Sequence, residues 1–229
     1  MLFRSAVAVD PGHGGRDAGA RGAAGHLEKT ICLQLANKLA QRLANSYRVI
    51  LTRRDDYYVE LRQRSAIANQ ADAALLLSLH TGAGFVNTAG GISIYYDAPL
   101  HGTAGDKAST SETTAPTPWN QTQTRHHAES LTLATTLKEY LEQMPDAPAC
   151  SVHGAPLPLL QGTDMPAVLI ELGPITHPAT EAILTSAQGQ EQLSEQIAQA
   201  VQAFMSGFQK RNNPARPAWH DRDADRPVQ

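Results

Sequence analysis

The chain reads as a three-layer α/β domain, with a mostly parallel or mixed sheet sandwiched between helices. Three observations predict this. Short apolar runs at residues 6–9, 73–79 and 167–170 carry no polar alternation, as strands covered on both faces do. Segments with helical spacing separate the early runs in βαβα order. Each run also leads into residues able to do chemistry, with Asp10 and His13 after the first, His80 after the second and Glu171 after the third. In such sheets function gathers at the C-terminal strand edge.

The elements follow in order. Residues 6–9 form a buried strand that Asp10-Pro11-Gly12 ends in a sharp loop carrying His13. Cys32, Leu35, Ala36, Leu39 and Leu43 recur at helical spacing, which predicts a helix over 29–45 with Glu28 at its start. A strand over 47–51 and a helix ending near Asn69 precede the run that delivers His80. The β-branched and aromatic residues 91–96 predict a fourth strand. From 97 to 123 the chain is rich in Thr, Ser, Pro and Gly, and an exposed insertion is expected. A helix over 127–144, short strands at 156–160 and 167–170, and a closing helix over 190–208 complete the domain. One domain over 1–210 is expected, with a polar, disordered tail over 211–229.

Composition narrows the function classes. A net charge of -3 provides no general attraction to nucleic acid or anionic lipid. Two cysteines, Cys32 and Cys150, make neither a disulfide framework nor a four-cysteine metal site, and whether they pair is open. No apolar run approaches the roughly 20 residues of a membrane span, so no integral membrane association is expected. Met1 to Arg4 leads straight into the first strand, and no secretory signal is visible there.

Two histidines and one carboxylate are an established zinc ligand set that leaves a fourth position for water. His13, Glu28 and His80 supply such a set. Glu171, at the end of an apolar strand, suits a general base whose carboxyl is raised by partial desolvation. Asp10 is placed to orient His13 or its loop. Taken singly these residues have ordinary readings: loop histidines, an acid in a helix's first turn, a buried structural carboxylate.

At these residues the chain resembles the zinc-dependent N-acetylmuramoyl-L-alanine amidases of type 3. Asp10-Pro11-Gly12-His13-Gly14-Gly15 with Asp17 and Gly19-Ala20 is similar to the family's opening motif, and Glu28-Lys29 follows as expected. Leu51-Thr52-Arg53 with Asp56, Leu61, Arg64 and Ala68-Asn69 resembles the second block, Ser78-Leu79-His80 the third, and Pro166 to Glu171 the catalytic-glutamate block. The resemblance implies a zinc-exopeptidase-like fold and one Zn2+ ion held by His13, Glu28 and His80. It also implies Glu171 as the general base and, as substrate, the amide between N-acetylmuramic acid and L-alanine in peptidoglycan. Action on the cell wall, in the periplasm or outside the cell, follows from that substrate.

The chain departs from the pattern around the metal. His80-Thr81-Gly82 stands where relatives carry His-Ala-Asn or His-Ala-Asp, making Thr81 a candidate groove residue. Leu172 to His177 replaces the usual Gly-Phe and Ser-Asn, and His153 is the nearest basic stand-in for an arginine that precedes the penultimate strand. Some relatives carry a regulatory segment where residues 97–123 lie, which makes Glu112 a candidate autoinhibitory ligand, although a solvated linker is the plainer reading. Arg53 and Arg64 read as structural ion-pair partners. Two rival functions are a zinc exopeptidase and a silent wall-binding module. A monomer is expected, with targeting left to a protein activator, the insertion or a flanking segment.

Overall fold

Residues 4–82, 91–98, 119–145 and 147–212 are described by the structure, a computed structural model. Six strands form one sheet: β1 (Ala6–Pro11), β2 (Arg48–Leu51), β3 (Ala73–His80), β4 (Ile92–Asp97), β5 (Cys150–Ala155) and β6 (Ala167–Glu171). Their order is β2-β1-β3-β6-β4-β5. β2, β1, β3 and β6 run parallel, β4 is antiparallel to β6, and β5 is parallel to β4. The sheet is therefore mixed.

Alternation along the strands sorts side chains into two unequal layers. On one face Val7, Val9, Leu75, Leu77 and Leu79 pack under α1 (Glu28–Leu43), α3 (His127–Leu141) and the long α6 (Ala187–Asn212). α1 presents Ile31, Cys32, Leu35, Ala36, Leu39 and Leu43, all fully or nearly fully buried. Each such large aliphatic side chain contributes about 1.5–3 kcal/mol by leaving water. On the other face the smaller Ala6 and Ala8 join Leu76, Tyr95 and Leu169 beneath α2 (Leu61–Gln70) and the single turn α4 (Pro158–Gln161). Cys32 and Cys150 are both buried and unpaired. No helix among the described residues is long and apolar enough to cross a membrane.

Several sequence expectations need correction. The strand expected at 156–160 is instead α4, because Pro158 presets the backbone for a first helical turn and Leu159 and Leu160 bury beneath it. The strand is β5, just upstream, an edge strand only partly buried and lacking a clean apolar pattern. α5 (Pro178–Thr185) was not anticipated, and α6 begins before residue 190. The segment expected to be irregular to residue 123 becomes a 3-10 helix from Trp119 to His126. Buried Gln123 anchors it, donating to Met165 O at 2.8 Å and accepting from Ser130 Oγ at 2.8 Å. The proposed 211–229 tail falls almost wholly outside the described residues.

Beneath the C-terminal edge of the parallel strands lies a fully buried carboxylate, Asp10. It takes hydrogen bonds from Ser78 Oγ at 2.7 Å and from Thr52, and pairs with Arg64 at 2.8 Å. Arg64, 3% exposed, also donates to the carbonyls of Pro11 and His13, both at 2.7 Å. Replacing Asp10 by Ala strands a buried guanidinium. The expected loss is about 3–5 kcal/mol of unfolding free energy, read by urea denaturation; a loss below about 1 kcal/mol would show the pair to be dispensable.

Candidate active site

Parallel pairing of β1, β3 and β6 brings three strand ends to one edge, with His80 opposite Glu171 in register. Past β1 the chain must turn sharply under the His80 ring. Gly12 allows this, since a Cβ there would lie 2.5 Å from the imidazole. His13 itself adopts φ 60°, a left-handed conformation rare for a residue with a side chain. Arg53 and Arg64 hold it there: Arg53 donates to Pro11 O at 3.0 Å and Gly12 O at 2.7 Å, and Arg64 to His13 O. Arg64 is the ion-pair partner expected, through Asp10, whereas Arg53 has no ion pair among the described residues and clamps backbone carbonyls only.

The loop then returns to Glu28 at the start of α1. Lys29 Nζ donates to Gly15 O at 2.9 Å and pairs with Asp56 at 2.6 Å, while Asp56 accepts from Gly15 N at 2.7 Å. Gly19, at φ +66°, passes so close to Glu28 that a Cβ would meet its Oε2 at 2.6 Å. From the far side Glu181 of α5 accepts from Ala24 N and faces His26 Nδ1, both at 2.8 Å.

His13, Glu28 and His80 converge. One donor atom from each lies within 4.8 Å of the others, the spacing of a group that could hold a metal ion. Glu28 Oε1 is 3.0 Å from His13 Nε2 and 3.2 Å from His80 Nδ1, and Oε2 accepts from Ala20 N at 2.8 Å. Thr81 N also donates to Oε1, at 2.9 Å. Burial would raise the Glu28 pKa, but the two imidazoles and the Ala20 amide outweigh it and hold the carboxyl well below its usual range. Burial likewise opposes a charged His13, yet Glu28 and Asp17 raise its pKa overall. Surroundings that draw a proton to this imidazole also draw a metal cation when the proton is absent. The donor set of two imidazoles and a carboxylate fits zinc.

Asp17 had no role assigned from the sequence beyond its place in the motif. Its Oδ2 lies 2.9 Å from His13 Nδ1, the nitrogen facing away from Glu28, although out of line for a good hydrogen bond. The i, i+4 spacing in a glycine-rich loop was the available signal. Carboxylates behind metal-bound imidazoles fix the ring and its tautomer.

Glu171 stands beside this group. Its Oε2 accepts from Gly82 N at 3.0 Å, and Oε1 has no hydrogen-bond partner among the described residues. Burial raises its pKa, the Glu28 charge adds to that, and His80 and the Gly82 amide only partly offset it. A carboxylate so raised, with one oxygen free, is suited to accept and release a proton.

The other candidates are placed differently. Asp10 reaches His13 only through Arg64 and the loop carbonyl. Thr81 is fully buried; its carbonyl accepts from Ile175 N at 2.9 Å, tying the loops after β3 and β6 together, and its hydroxyl lacks a partner among the described residues. His153 is not in a substrate loop. It lies on β5, two strands from β6, opposite Tyr95 and 2.8 Å from Ser151 Oγ. Glu112 lies outside the described residues.

A family model for N-acetylmuramoyl-L-alanine amidase matches residues 7–203, which include all four of these site residues. The chain belongs to this amidase family. The N-acetylmuramoyl-L-alanine amidase AmiC of Neisseria meningitidis is 29% identical over 222 residues, covering 89% of this chain and 53% of the relative. AmiA of Escherichia coli is 28% identical, covering 88% and 76%. The chain thus spans about half the length of the first relative and three quarters of the second. Among solved structures, the amidase AmiC2 of Nostoc punctiforme superposes with a TM-score of 0.71 at 26% identity, covering 88% of this chain and 97% of that one.

Two substitutions test this geometry. Asp17→Asn is expected to weaken zinc binding by about 10–100-fold, measured by chelator competition. Gly12→Ala, which drives a methyl into the His80 ring, should reduce zinc content at a fixed zinc concentration. Wild-type affinity in both variants would separate the loop from metal binding.

Proposed function

We propose that this chain hydrolyses the amide joining the lactyl group of N-acetylmuramic acid to L-alanine of the stem peptide, with one zinc ion held by His13, Glu28 and His80. The observation that carries this reading is the placement of a half-free, up-shifted Glu171 beside three converging zinc-type donors, on a chain of the amidase family. The substrate is cell-wall peptidoglycan, and the setting is wall remodelling, division or lysis in the periplasm or outside the cell.

Each residue has a part. Zinc, when bound, supplies Lewis acidity that makes water nucleophilic at neutral pH and polarises the amide carbonyl. Asp17 stands behind the His13 ring on its Nδ1 side and would favour the orientation in which Nε2 points toward Glu28, where a metal ion would be held. Gly82 N–H fixes Glu171 Oε2, which leaves Oε1 to take the proton of the attacking water. The same oxygen then returns that proton to the leaving alanine nitrogen, so the peptide departs as a neutral amine. Burial raises the basicity of Glu171 for the first transfer, and the carboxyl protonated in that step is the acid for the second.

Glu171→Gln is expected to retain stoichiometric zinc and lose turnover by about 10²–10⁴-fold, monitored by mass spectrometry of digested peptidoglycan. The expected wild-type product is intact stem peptide beginning with L-alanine. Cleavage within the stem peptide instead would support the exopeptidase alternative, and near-wild-type turnover by Glu171→Gln would overturn the proton-transfer role.

A further inference from the structure

Beyond the metal group, two exposed rings of the described surface, Tyr58 and Trp119, line one groove. An open cavity of about 820 Å³ lies between the start of α2 and the 3-10 helix, and Tyr58, Glu60, Leu61, Arg62, Trp119 and Gln161 are among its walls. At the end nearest the metal loop, Arg16 lies over the Tyr58 ring, 4.6 Å from its centroid. Arg16 is three residues beyond His13, and Gly15 packs against the Tyr58 backbone. At the other end Arg62 lies 4.9 Å from the Trp119 ring. Trp119 and Tyr58 keep 37% and 36% of their surface in solvent. The groove thus offers two open aromatic stations, each beneath a guanidinium, leading away from the metal loop.

Trp119 has a built seat. A Cβ on Gly162 would come within 2.2 Å of the indole, so the ring rests where only glycine allows it. Asn69 fixes that floor, donating to Gly162 O at 2.8 Å and accepting from Asp164 N at 2.9 Å. Gln123 fixes it from the other side through Met165 O. The cations are loosely held. Arg62 has no ion pair among the described residues, and Arg16 reaches only Glu60, at 4.0 Å.

We propose that this groove binds the glycan strand of peptidoglycan, with Tyr58 and Trp119 stacking on successive sugar rings. The inference rests on the peptidoglycan reading above. A pyranose presents a face of weakly positive C–H groups, which complements the negative face of an aromatic ring. Arg16 and Arg62, able to swing from the rings, donate to hydroxyl and acetamido oxygens. Glu60 in the wall accepts hydrogen bonds from sugar hydroxyls. Because Arg16 and Gly15 of the loop that carries His13 lie against Tyr58, the groove neighbours the metal loop, and a long strand held at Glu171 has a route toward it.

The test uses peptide-free glycan strands, prepared by exhaustive amidase digestion of sacculi, titrated against the full chain. Wild type is expected to bind them. Trp119→Ala should bind about tenfold more weakly, equivalent to about 1.4 kcal/mol, while Trp119→Tyr keeps most of the affinity. Arg62→Ala, measured in parallel with melting temperature and zinc content as folding controls, should weaken binding in the same direction. For Trp119→Ala the ratio of kcat/KM on sacculi to kcat/KM on a disaccharide-peptide should fall by a similar factor, since only a long strand reaches the groove. Failure of glycan strands to bind wild type, undiminished binding by both alanine variants, or displacement of the strands by free stem peptide overturns the proposal. Absence of stem-peptide release by wild type would defeat the amidase reading instead, and the glycan titration is read independently of it.

Discussion

The active edge depends on one buried ion pair. Asp10 ends the first strand with no exposure to solvent, and its charge is tolerable only because Arg64, Ser78 and Thr52 surround it. Removing a carboxylate from water costs several kcal/mol, which a paired guanidinium and two hydroxyls offset. Arg64 then spends its remaining donors on the carbonyls of Pro11 and His13, and Arg53 takes Pro11 and Gly12. A histidine at positive φ and a glycine wedged beneath an imidazole would not persist without such over-determination. The charge below thereby sets the backbone above.

The electrostatics of the site follow from that rigidity. Glu28 and Glu171 are neighbours in one partly buried pocket, yet their surroundings push them apart. Two imidazoles and backbone amides stabilise Glu28 as an anion, whereas Glu171 receives a single amide and feels the Glu28 charge. The two carboxylates are thereby set apart, Glu28 held as an anion suited to a cation and Glu171 suited to carry a proton, by hydrogen-bond count rather than by residue type.

Much of this was legible in the sequence because fully covered parallel strands leave continuous apolar runs. β1, β3 and β6 announced themselves that way, and the residues just past them had to meet at one edge. The family's motif strings then made the ligand set specific. What stayed hidden lacked a local signature. β5 is an edge strand whose residues are only partly buried, so Ser151, His153 and Gly154 carry no pattern. Gln123 looked like one more polar residue in a Thr- and Pro-rich stretch, but its amide is buried by contacts about 40 residues distant. Asp17 and Glu181 act across loops whose shape is set by glycines, and sequence spacing alone does not say which atom such a carboxylate will face.

The reversal of β4 has a consequence for how the domain can be elaborated. Ser93, near the start of β4, pairs with Glu171, so Asp97 at its end lies at the opposite margin of the sheet. β3 therefore ends and β4 begins at the reactive margin, whereas β4 ends at the remote one. The connections into and out of β4 are unequal in evolutionary freedom. Lengthening the first changes the immediate neighbourhood of His80, while lengthening the second begins a full strand away from the chemistry, a position where a tether or an added module can be accepted without re-forming the catalytic margin.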